Sequence, residues 1–303
     1  MENTEKLNMQ TTDVHPGKGM PSGPLADMNL MDDFMFDVAT TDLETSKVII
    51  ELSLGIRIRR IAWKEGQRVI HNLPGKRDIR MDFYVEDEDG QVFEVEMQKR
   101  NTGNIPKRTR YYQALIDSPM LKSGEKGFDN LRPAFIIVIC GFDLFGMGLY
   151  RYTFDNRCQE RPDLVLGDGC RKIILNTRGR NEDEVEKPLV DFLKYVEQSS
   201  EENVPENCDE RLKYLHGRVS HIKADEQIGV TYMHMEERDR LIREEGEKAK
   251  EISQVRKKMG RGMETEQIAE QLELEKTYVQ SLMDMIRSNP ELDDYALARE
   301  LEG

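Results

Sequence analysis

The feature that most constrains the fold is the run of seven apolar residues at Ala134–Cys140, Ala-Phe-Ile-Ile-Val-Ile-Cys. A strand with one face in solvent alternates apolar and polar residues, whereas a strand buried on both faces is apolar throughout. The run is far too short to span a membrane, which takes about 20 residues. It therefore predicts a buried central strand in a sheet that is flanked by helices, and so a domain of the α/β class.

A hairpin precedes this buried strand. Residues 79–85 and 92–98 both have the composition of strands, and they flank the sequence Asp87-Glu88-Asp89-Gly90. The Asp-Gly pair is among the strongest short signals for a tight turn between antiparallel strands. These segments are therefore expected to pair across the turn.

One face of this hairpin is polar. Glu94, Glu96 and Gln98 alternate with apolar residues and so share a face, and Asp82 falls on the polar side of the neighbouring strand. Carboxylates on paired strands lie about 5 Å apart and offer the oxygen ligands that Mg²⁺ and Mn²⁺ prefer. The pattern alone leaves open a second interpretation, an ordinary amphipathic hairpin with a solvated acidic face.

Helices and strands alternate through the rest of the first half, and the C-terminal part is helical. Apolar residues recur at helical spacing in residues 42–54, with Thr41 or Asp42 as the N-cap and Gly55 as the stop. The other predicted elements are a helix at residues 106–118, strands at residues 149–154, 164–166 and 172–176, helices from residue 185, a long charged helix at about residues 225–259, and short helices at residues 263–269 and 278–286.

The two short helices near the C-terminus have the helix, turn, helix order of many DNA-binding units. Glu273, Glu275 and Asp284 lie in the second helix and its approach, where a protein that reads DNA would need cations. A structural role is therefore favoured over DNA reading for this segment.

The composition indicates a soluble protein without a secretory leader. Of the 303 residues, 34% are charged and 38% are hydrophobic, and the polar first residues contain no apolar core after a positive charge. We therefore expect a cytoplasmic protein with no membrane partner. The four cysteines are unevenly spaced and form no CxxC pair, which argues against a disulfide framework and against a zinc site.

The charge distribution bears on the binding partner. A formal net charge of −14 disfavours a polyanion as the partner. Basic residues nevertheless concentrate in residues 57–68 and 99–110, while acidic residues concentrate in residues 182–186 and 197–210 and near the C-terminus. The uneven distribution keeps a nucleic-acid partner open despite the net charge.

Several short motifs together resemble the recombination-promoting nuclease and transposase family, a bacterial branch of the PD-(D/E)XK nuclease superfamily. The similarity runs from about residue 30 to residue 233. The motifs that carry it are Asp82, Glu96-Met97-Gln98, Arg108-Thr109-Arg110-Tyr111-Tyr112-Gln113, Leu115-Ile116-Asp117-Ser118, and Ile136-Ile137-Val138-Ile139-Cys140-Gly141-Phe142-Asp143.

The resemblance implies a fold, a reaction and a site. The fold is a restriction-endonuclease-like core of order αβββαβ, with a mixed central sheet flanked by helices, followed here by a helical C-terminal extension. The reaction is metal-dependent hydrolysis of DNA phosphodiester bonds, in recombination or mobile-element processes. The implied catalytic residues are Asp82, Glu96 and Gln98, with Asp82 and Glu96 as ligands of Mg²⁺, for which Mn²⁺ can substitute. Gln98 stands where the wider superfamily usually has lysine.

The resemblance also implies contacts outside these three residues. The superfamily often adds an acid from the first helix, and Glu51 is the candidate third acid, with Glu44 as a second choice and an exposed helix glutamate as the plainer interpretation. Asp33-Phe34-Met35-Phe36-Asp37 resembles the family's Asp-x-x-Phe-Lys, but Asp37 replaces the lysine. The candidate DNA phosphate contacts, for which solvation of a loop is an equal alternative, are Lys99, Arg100, Lys107, Arg108 and Arg110.

The predicted organisation has three parts. Residues 1–24 form a flexible N-terminal segment, residues 25–235 the nuclease domain, and residues 236–303 a charged helical extension. The expected partner is DNA, with no small-molecule cofactor, and a homo-oligomer is left open. The rival prediction is a nuclease-fold protein with weak or no catalysis that acts as an interaction or assembly module through its helical tail.

Overall fold

The computed structural model describes residues 25–66, 69–70, 79–80, 82–121, 124 and 127–301. The flexible segment predicted at residues 1–24 and residue 81 of the predicted hairpin lie outside this part of the chain. The chain divides into two compact units, the first ending at Gly229 and the second beginning at Val230.

The elements follow one another along the chain as helices, strands, and then helices alone. In order they are α1 (Asp33–Ala39), α2 (Leu43–Leu54), β1 (Ile61–Gly66), β2 (Val69–Ile70), β3 (Ile79–Arg80), β4 (Phe83–Asp87), β5 (Val92–Gln98), α3 (Ile105–Asp117), β6 (Ala134–Cys140), β7 (Arg151–Phe154), β8 (Cys170–Asn176), α4 (Lys187–Glu197), α5 (Glu210–Ala224), α6 (Glu226–Met259), α7 (Thr265–Leu272), α8 (Lys276–Ser288) and α9 (Asp294–Glu300).

A mixed sheet forms the centre of the first unit. Over the described residues its six strands lie in the order β1-β4-β5-β6-β8-β7, and β2 pairs with β3 in a separate two-stranded sheet. Strands β1, β4 and β5 are antiparallel, β5, β6 and β8 are parallel, and β7 is an antiparallel edge. Elements α2, β1, β4, β5, α3 and β6 give the order αβββαβ, which confirms the predicted α/β core with its mixed sheet and helical C-terminal region.

Helices cover both faces of this sheet. On one face, Tyr112 and Leu115 of α3 pack in a cluster with Ile136 and Val138 of β6. On the other face, Phe36 of α1 contacts Phe83 of β4, with ring centroids 5.7 Å apart, and α1 and α2 both pack on α5. Strand β6 is therefore covered from both sides, which is why its sequence is apolar throughout.

Helix α2 begins and ends where the sequence predicts. The Asp42 side chain caps its first turn by accepting the Thr45 N–H at 2.7 Å, and Gly55 closes it with a φ of 69°. A side-chain acceptor satisfies an unpaired amide at a helix start, and glycine adopts the left-handed conformation at a helix end without a Cβ clash. Both predicted boundaries are confirmed.

The first hairpin strand was predicted too long. Strand β4 begins at Phe83, and residues 79–80 pair with residues 69–70 instead. Asp82 lies in a bend, and its Oδ2 accepts the Met97 N–H at 2.9 Å. A side chain therefore satisfies a main-chain donor of β5 just before the ladder begins.

The loop before β8 also differs from its prediction. Residues 164–166 are exposed and form no strand; one isolated bridge joins Arg157 to Val165. Their apolar side chains gave a strand pattern, but no neighbouring strand of the described sheet pairs with them. No helix in the described part of the chain is long and apolar enough to cross a bilayer.

The second unit has a small apolar core of its own. Glu264 and Gln267 form a reciprocal capping box at the start of α7, and Glu273, with a φ of 56°, makes the turn into α8. Helix α9, which the sequence analysis did not predict, closes the cluster. The most buried members of this cluster are Ile252, Val255, Ile268, Val279, Leu282, Leu297 and Ala298.

Candidate active site

Strand β5 places three polar side chains under helix α3. Glu94, Glu96 and Gln98 alternate along the strand and are all buried, with Glu96 only 1% exposed. Tyr84 pairs with Glu94 and Phe83 with Val95, so the antiparallel register continues to Asp82 beside Glu96. Asp82, also buried, is fixed there by its hydrogen bond from Met97 N. The structure thus brings Asp82, Glu96 and Gln98 together at one end of the hairpin.

The amide of Gln98 bridges two charged groups. Its Nε2 donates to Glu96 Oε2 at 3.2 Å and to the Met97 carbonyl at 3.0 Å, while its Oε1 accepts from Arg108 Nη1 at 3.0 Å. Donors and acceptors on opposite ends of the amide fix its orientation. Gln98 therefore holds Glu96 and Arg108 in a set relation to each other.

Arg108 of α3 is the cation next to these carboxylates. Its Nη2 donates to Glu96 Oε2 at 2.6 Å and to the Tyr112 hydroxyl at 2.7 Å. Burial alone would lower the pKa of Arg108, but the charges of Glu96 and Asp82 and the contact with Tyr112 outweigh it, so the pKa is raised. Burial, and then the charge of Glu96, raise the pKa of Tyr112. At neutral pH the guanidinium is charged and the phenol is neutral.

These side chains fill a narrow pocket between β5, β6 and α3. Arg108 reaches across this pocket to Glu96 and Gln98. Cys140 lies at the end of β6, and burial raises the pKa of its thiol to about 12, against a smaller opposing effect of Arg108. The thiol is therefore protonated and inert as a nucleophile at neutral pH. The pocket is lined by Glu96, Gln98, Ile105, Arg108, Thr109, Tyr112 and Val138.

The donor set fits a hard divalent cation. Asp82 and Glu96 present carboxylate oxygens from neighbouring strands, and Mg²⁺ takes one or two such carboxylates while it keeps waters and binds a substrate phosphate. Among the described residues, no three His, Cys, Asp or Glu side chains gather closely enough to hold an ion by themselves. Two protein carboxylates completed by water and phosphate are the arrangement that these residues can supply.

Glu51 lies apart from the cluster of Asp82, Glu96 and Gln98. It is 3% exposed, so the expectation of an exposed glutamate is wrong for this residue. One carboxylate oxygen accepts the Ile58 N–H at 2.7 Å, and the other contacts Arg57 at 3.2 Å and Arg211 at 3.6 Å. Its helix packs on the helices of the face opposite α3. The role of Glu51 as a third acid stays a prediction; Glu44, its alternative, is exposed and pairs with Lys47.

The predicted phosphate contacts divide into two groups. Lys99, Arg100, Lys107 and Arg110 are exposed where β5 ends and α3 begins, and Lys99 also bonds to Asp32 at 2.5 Å. Arg108 instead turns inward to Glu96. The exposed four stay candidates for DNA contacts.

Sequence reasoning missed the part that Tyr112 plays. Its ring is buried, and its hydroxyl also accepts a hydrogen bond from the guanidinium of Arg108. Residues four apart on a helix lie side by side, so the Arg108 and Tyr112 spacing was the available signal. Glu94, which the sequence left without a role, is fully buried deeper along the same face.

The chain matches a known protein family. Residues 57–257 match the family model described as PD-(D/E)XK nuclease family transposase, and the matched region begins after the Asp33–Asp37 motif. Neither the curated proteins nor the solved structures gave a match. Nucleases of this kind typically use divalent metals and act on DNA, and the match supports a nuclease or transposase-like role. Because it covers more than half of the 303 residues and the αβββαβ core agrees with it, the chain belongs to the PD-(D/E)XK nuclease family of transposases.

Proposed function

We propose that this protein is an endonuclease that hydrolyses DNA phosphodiester bonds with the help of a bound divalent cation, Mg²⁺ in the first instance and Mn²⁺ as a substitute. Asp82 and Glu96 are the metal ligands, and Gln98 orients the attacking water. The observation that carries the proposal is the convergence of these three side chains at the end of β5, buried beside each other and next to Arg108.

The chain's own residues prepare this reaction in defined ways. The Met97 N–H fixes the Asp82 carboxylate, and the Gln98 amide fixes that of Glu96, so both ligands are held before substrate arrives. Gln98 has a carbonyl oxygen that can accept a hydrogen bond from water. The exposed cations Lys99, Arg100 and Lys107 can hold flanking phosphates in register.

Hydrolysis adds a water oxygen to phosphorus and breaks the bond from phosphorus to one bridging oxygen. One water proton passes to solvent, and the departing deoxyribose oxygen takes a proton from solvent water. A bound divalent cation supplies charge neutralisation at the phosphate oxygens and lowers the pKa of water next to it. The net charge of −14 is expected to keep the affinity for DNA low, and binding through the exposed cations is expected to weaken with added salt, because each phosphate contact releases counterions.

The test is nicking of supercoiled plasmid by wild type, Asp82→Ala and Glu96→Ala in Mg²⁺, in Mn²⁺ and in EDTA. Wild type should nick only with a divalent cation, and both variants should be inactive. Asp191→Ala is the matched control, since Asp191 is a buried aspartate on α4 that pairs with Lys187. It should nick like wild type.

Two results would redirect the proposal. Equal nicking by all four proteins would show a contaminating nuclease or a different site, and would remove the assignment to Asp82 and Glu96. Failure of pure wild type to nick DNA or to bind Mn²⁺ in calorimetry would favour the rival function, an assembly module that keeps the fold. Joined strands among the products would extend the proposal from hydrolysis to transposition.

A further inference from the structure

The site lacks a cation at the position where the superfamily usually has one. Gln98 fills the place of the usual lysine and carries no charge. Arg108, ten residues further along the chain, brings its guanidinium to the same place, with Nη1 3.0 Å from the Gln98 side-chain oxygen. The positive charge of the site is therefore carried on α3 and not on β5.

The guanidinium is held by side chains that can exchange partners. Nη2 contacts Glu96 Oε2 at 2.6 Å and the Tyr112 hydroxyl at 2.7 Å, and Nε lies 3.2 Å from the same hydroxyl. None of these partners is a main-chain group, and the Arg108 side chain is 26% exposed. Rotation about the side-chain bonds could take Nη1 and Nη2 toward solvent while Tyr112 still holds Nε.

The pairing with Glu96 conflicts with the proposed role of Glu96. The guanidinium lies 2.6 Å from Glu96 Oε2, so a divalent cation bound to the same carboxylate would stand close to it, and two positive charges at short separation repel each other strongly. Binding of a divalent cation at Glu96 therefore favours movement of Arg108 away from this carboxylate.

We propose that Arg108 is a catalytic residue that exchanges partners: its guanidinium neutralises Glu96 while no divalent cation is bound, and it transfers to the scissile phosphate when Glu96 takes up a cation. The phosphate half of this proposal rests on the proposed nuclease function, whereas the Glu96 half does not. Guanidinium groups suit both partners, since their paired N–H donors match carboxylate and phosphate oxygens alike. The charge that Gln98 lacks thus reaches the phosphate from the helix.

The plainer alternative is a fixed structural ion pair. A structural pair would stabilise α3 against β5 and would have no specific effect on cation affinity. The exchange instead predicts that Arg108 competes with the divalent cation for Glu96. Removal of its charge should therefore strengthen cation binding and weaken cleavage, two effects of opposite sign that loss of packing alone does not produce.

The experiment measures Mn²⁺ affinity by calorimetry without DNA, and plasmid nicking at saturating Mn²⁺, in the full chain. Arg108→Met should bind Mn²⁺ about tenfold more tightly and nick about a hundredfold more slowly. Arg108→Lys keeps the charge and should retain wild-type Mn²⁺ affinity with part of the nicking rate. Arg151→Met is the matched control, because the Arg151 side chain is 25% exposed and pairs with Glu186 on the far edge of the sheet; both readouts should stay at wild-type values.

The outcomes separate the two proposals. Unchanged Mn²⁺ affinity in Arg108→Met overturns the exchange, whatever the cleavage rate does. No cleavage by wild type overturns the nuclease function, while the affinity comparison still tests the competition at Glu96. Should Arg108→Met not fold, Arg108→Gln retains a hydrogen-bond donor for Glu96 without the charge and must show the same tighter Mn²⁺ binding.

Discussion

Two buried glutamates of this protein, Glu51 on α2 and Glu96 on β5, differ in what holds them. Glu51 accepts the main-chain N–H of Ile58 at 2.7 Å and contacts Arg211 of α5, so it ties together a helix, a loop and a second helix. Glu96 contacts the side chains of Gln98 and Arg108. Both residues are nearly inaccessible to solvent, with exposures of 3% and 1%.

The difference shows that burial of a carboxylate does not by itself mark a reactive site. Glu51 joins main-chain and side-chain groups of three segments, whereas the side chains that contact Glu96 belong to β5 and α3. The contacts of Glu51 predict a structural role, whereas Glu96 is the carboxylate for which we propose metal binding and an exchange of partners. The predictions below test this contrast, starting from the largest expected effect.

The first prediction compares cleavage by Glu96→Ala and Glu51→Ala. Loss of a metal ligand removes several kcal/mol of transition-state stabilisation, so Glu96→Ala should slow plasmid nicking on the order of a thousandfold. Glu51→Ala should stay within about threefold of wild type, because the structural contacts of Glu51 do not touch the reaction. Nicking is measured well below both melting temperatures. A comparable loss in Glu51→Ala would establish Glu51 as the third acid.

The second prediction is that Glu51→Ala destabilises the folded protein more than Glu96→Ala does. Glu51→Ala leaves the Ile58 amide without its acceptor and removes a carboxylate from Arg211, which keeps its pair with Asp209, and should lower the free energy of unfolding by about 3 kcal/mol. Glu96→Ala should change it by no more than about 1 kcal/mol, because removing one carboxylate from beside Asp82 and Glu94 relieves repulsion that offsets the lost ion pair. Urea unfolding without divalent cations measures both. Equal losses would erase the distinction between the two glutamates.

The third prediction concerns the partner that sets the orientation of Glu96. Groups that orient a metal ligand typically change activity about ten- to a hundredfold when removed. Gln98→Ala should slow nicking by this amount, because Gln98 bonds both Glu96 and Arg108. Gln113→Ala, which removes an amide bonded to Asp117 on the same helix α3, is the control and should have little effect. Wild-type activity in Gln98→Ala would remove its water-orienting role.

The fourth and smallest prediction tests the Glu51 network through pH. The hydrogen bond from Arg211 lowers the pKa of Asp209 from 3.8 to about 2, against the opposing effect of burial. A carboxyl whose pKa is lower in the folded state stabilises the fold above its unfolded pKa and loses that contribution as pH falls. The advantage of wild type over Asp209→Asn in thermal unfolding should therefore be constant above about pH 5 and vanish between pH 4 and pH 2.

Local signals in the sequence account for most of the fold. The unbroken apolar run fixed β6 as a doubly covered strand, and the cap at Asp42 and the stop at Gly55 fixed α2. The predicted start of the first hairpin strand was wrong because of a side-chain contact. The Asp82 side chain accepts the Met97 N–H, and β4 begins only at Phe83. The exposed residues 164–166 had a strand's composition but no strand to pair with.

Local sequence signals predicted only part of the candidate site. Alternation along β5 and the hairpin register place Glu96, Gln98 and Asp82 on one face from the sequence alone, because a strand has a side-chain period of two. The sequence alone did not predict which buried carboxylates lie beside this site. Glu51 looked like an exposed helix residue, and its burial depends on Arg211, 160 positions away in the chain.

The sequence by itself thus predicted the family, the α/β core and the three polar residues of the hairpin, because side-chain periodicity, turn residues and short motifs are local signals. Only the tertiary structure decided where the positive charge lies. Arg108 looked like one of several surface cations, and the packing of α3 on β5 and β6 turns it inward to Glu96, where Tyr112 holds it. The direction in which the Arg108 side chain points depends on how α3 packs on the sheet, and the order of residues along the helix does not specify that packing.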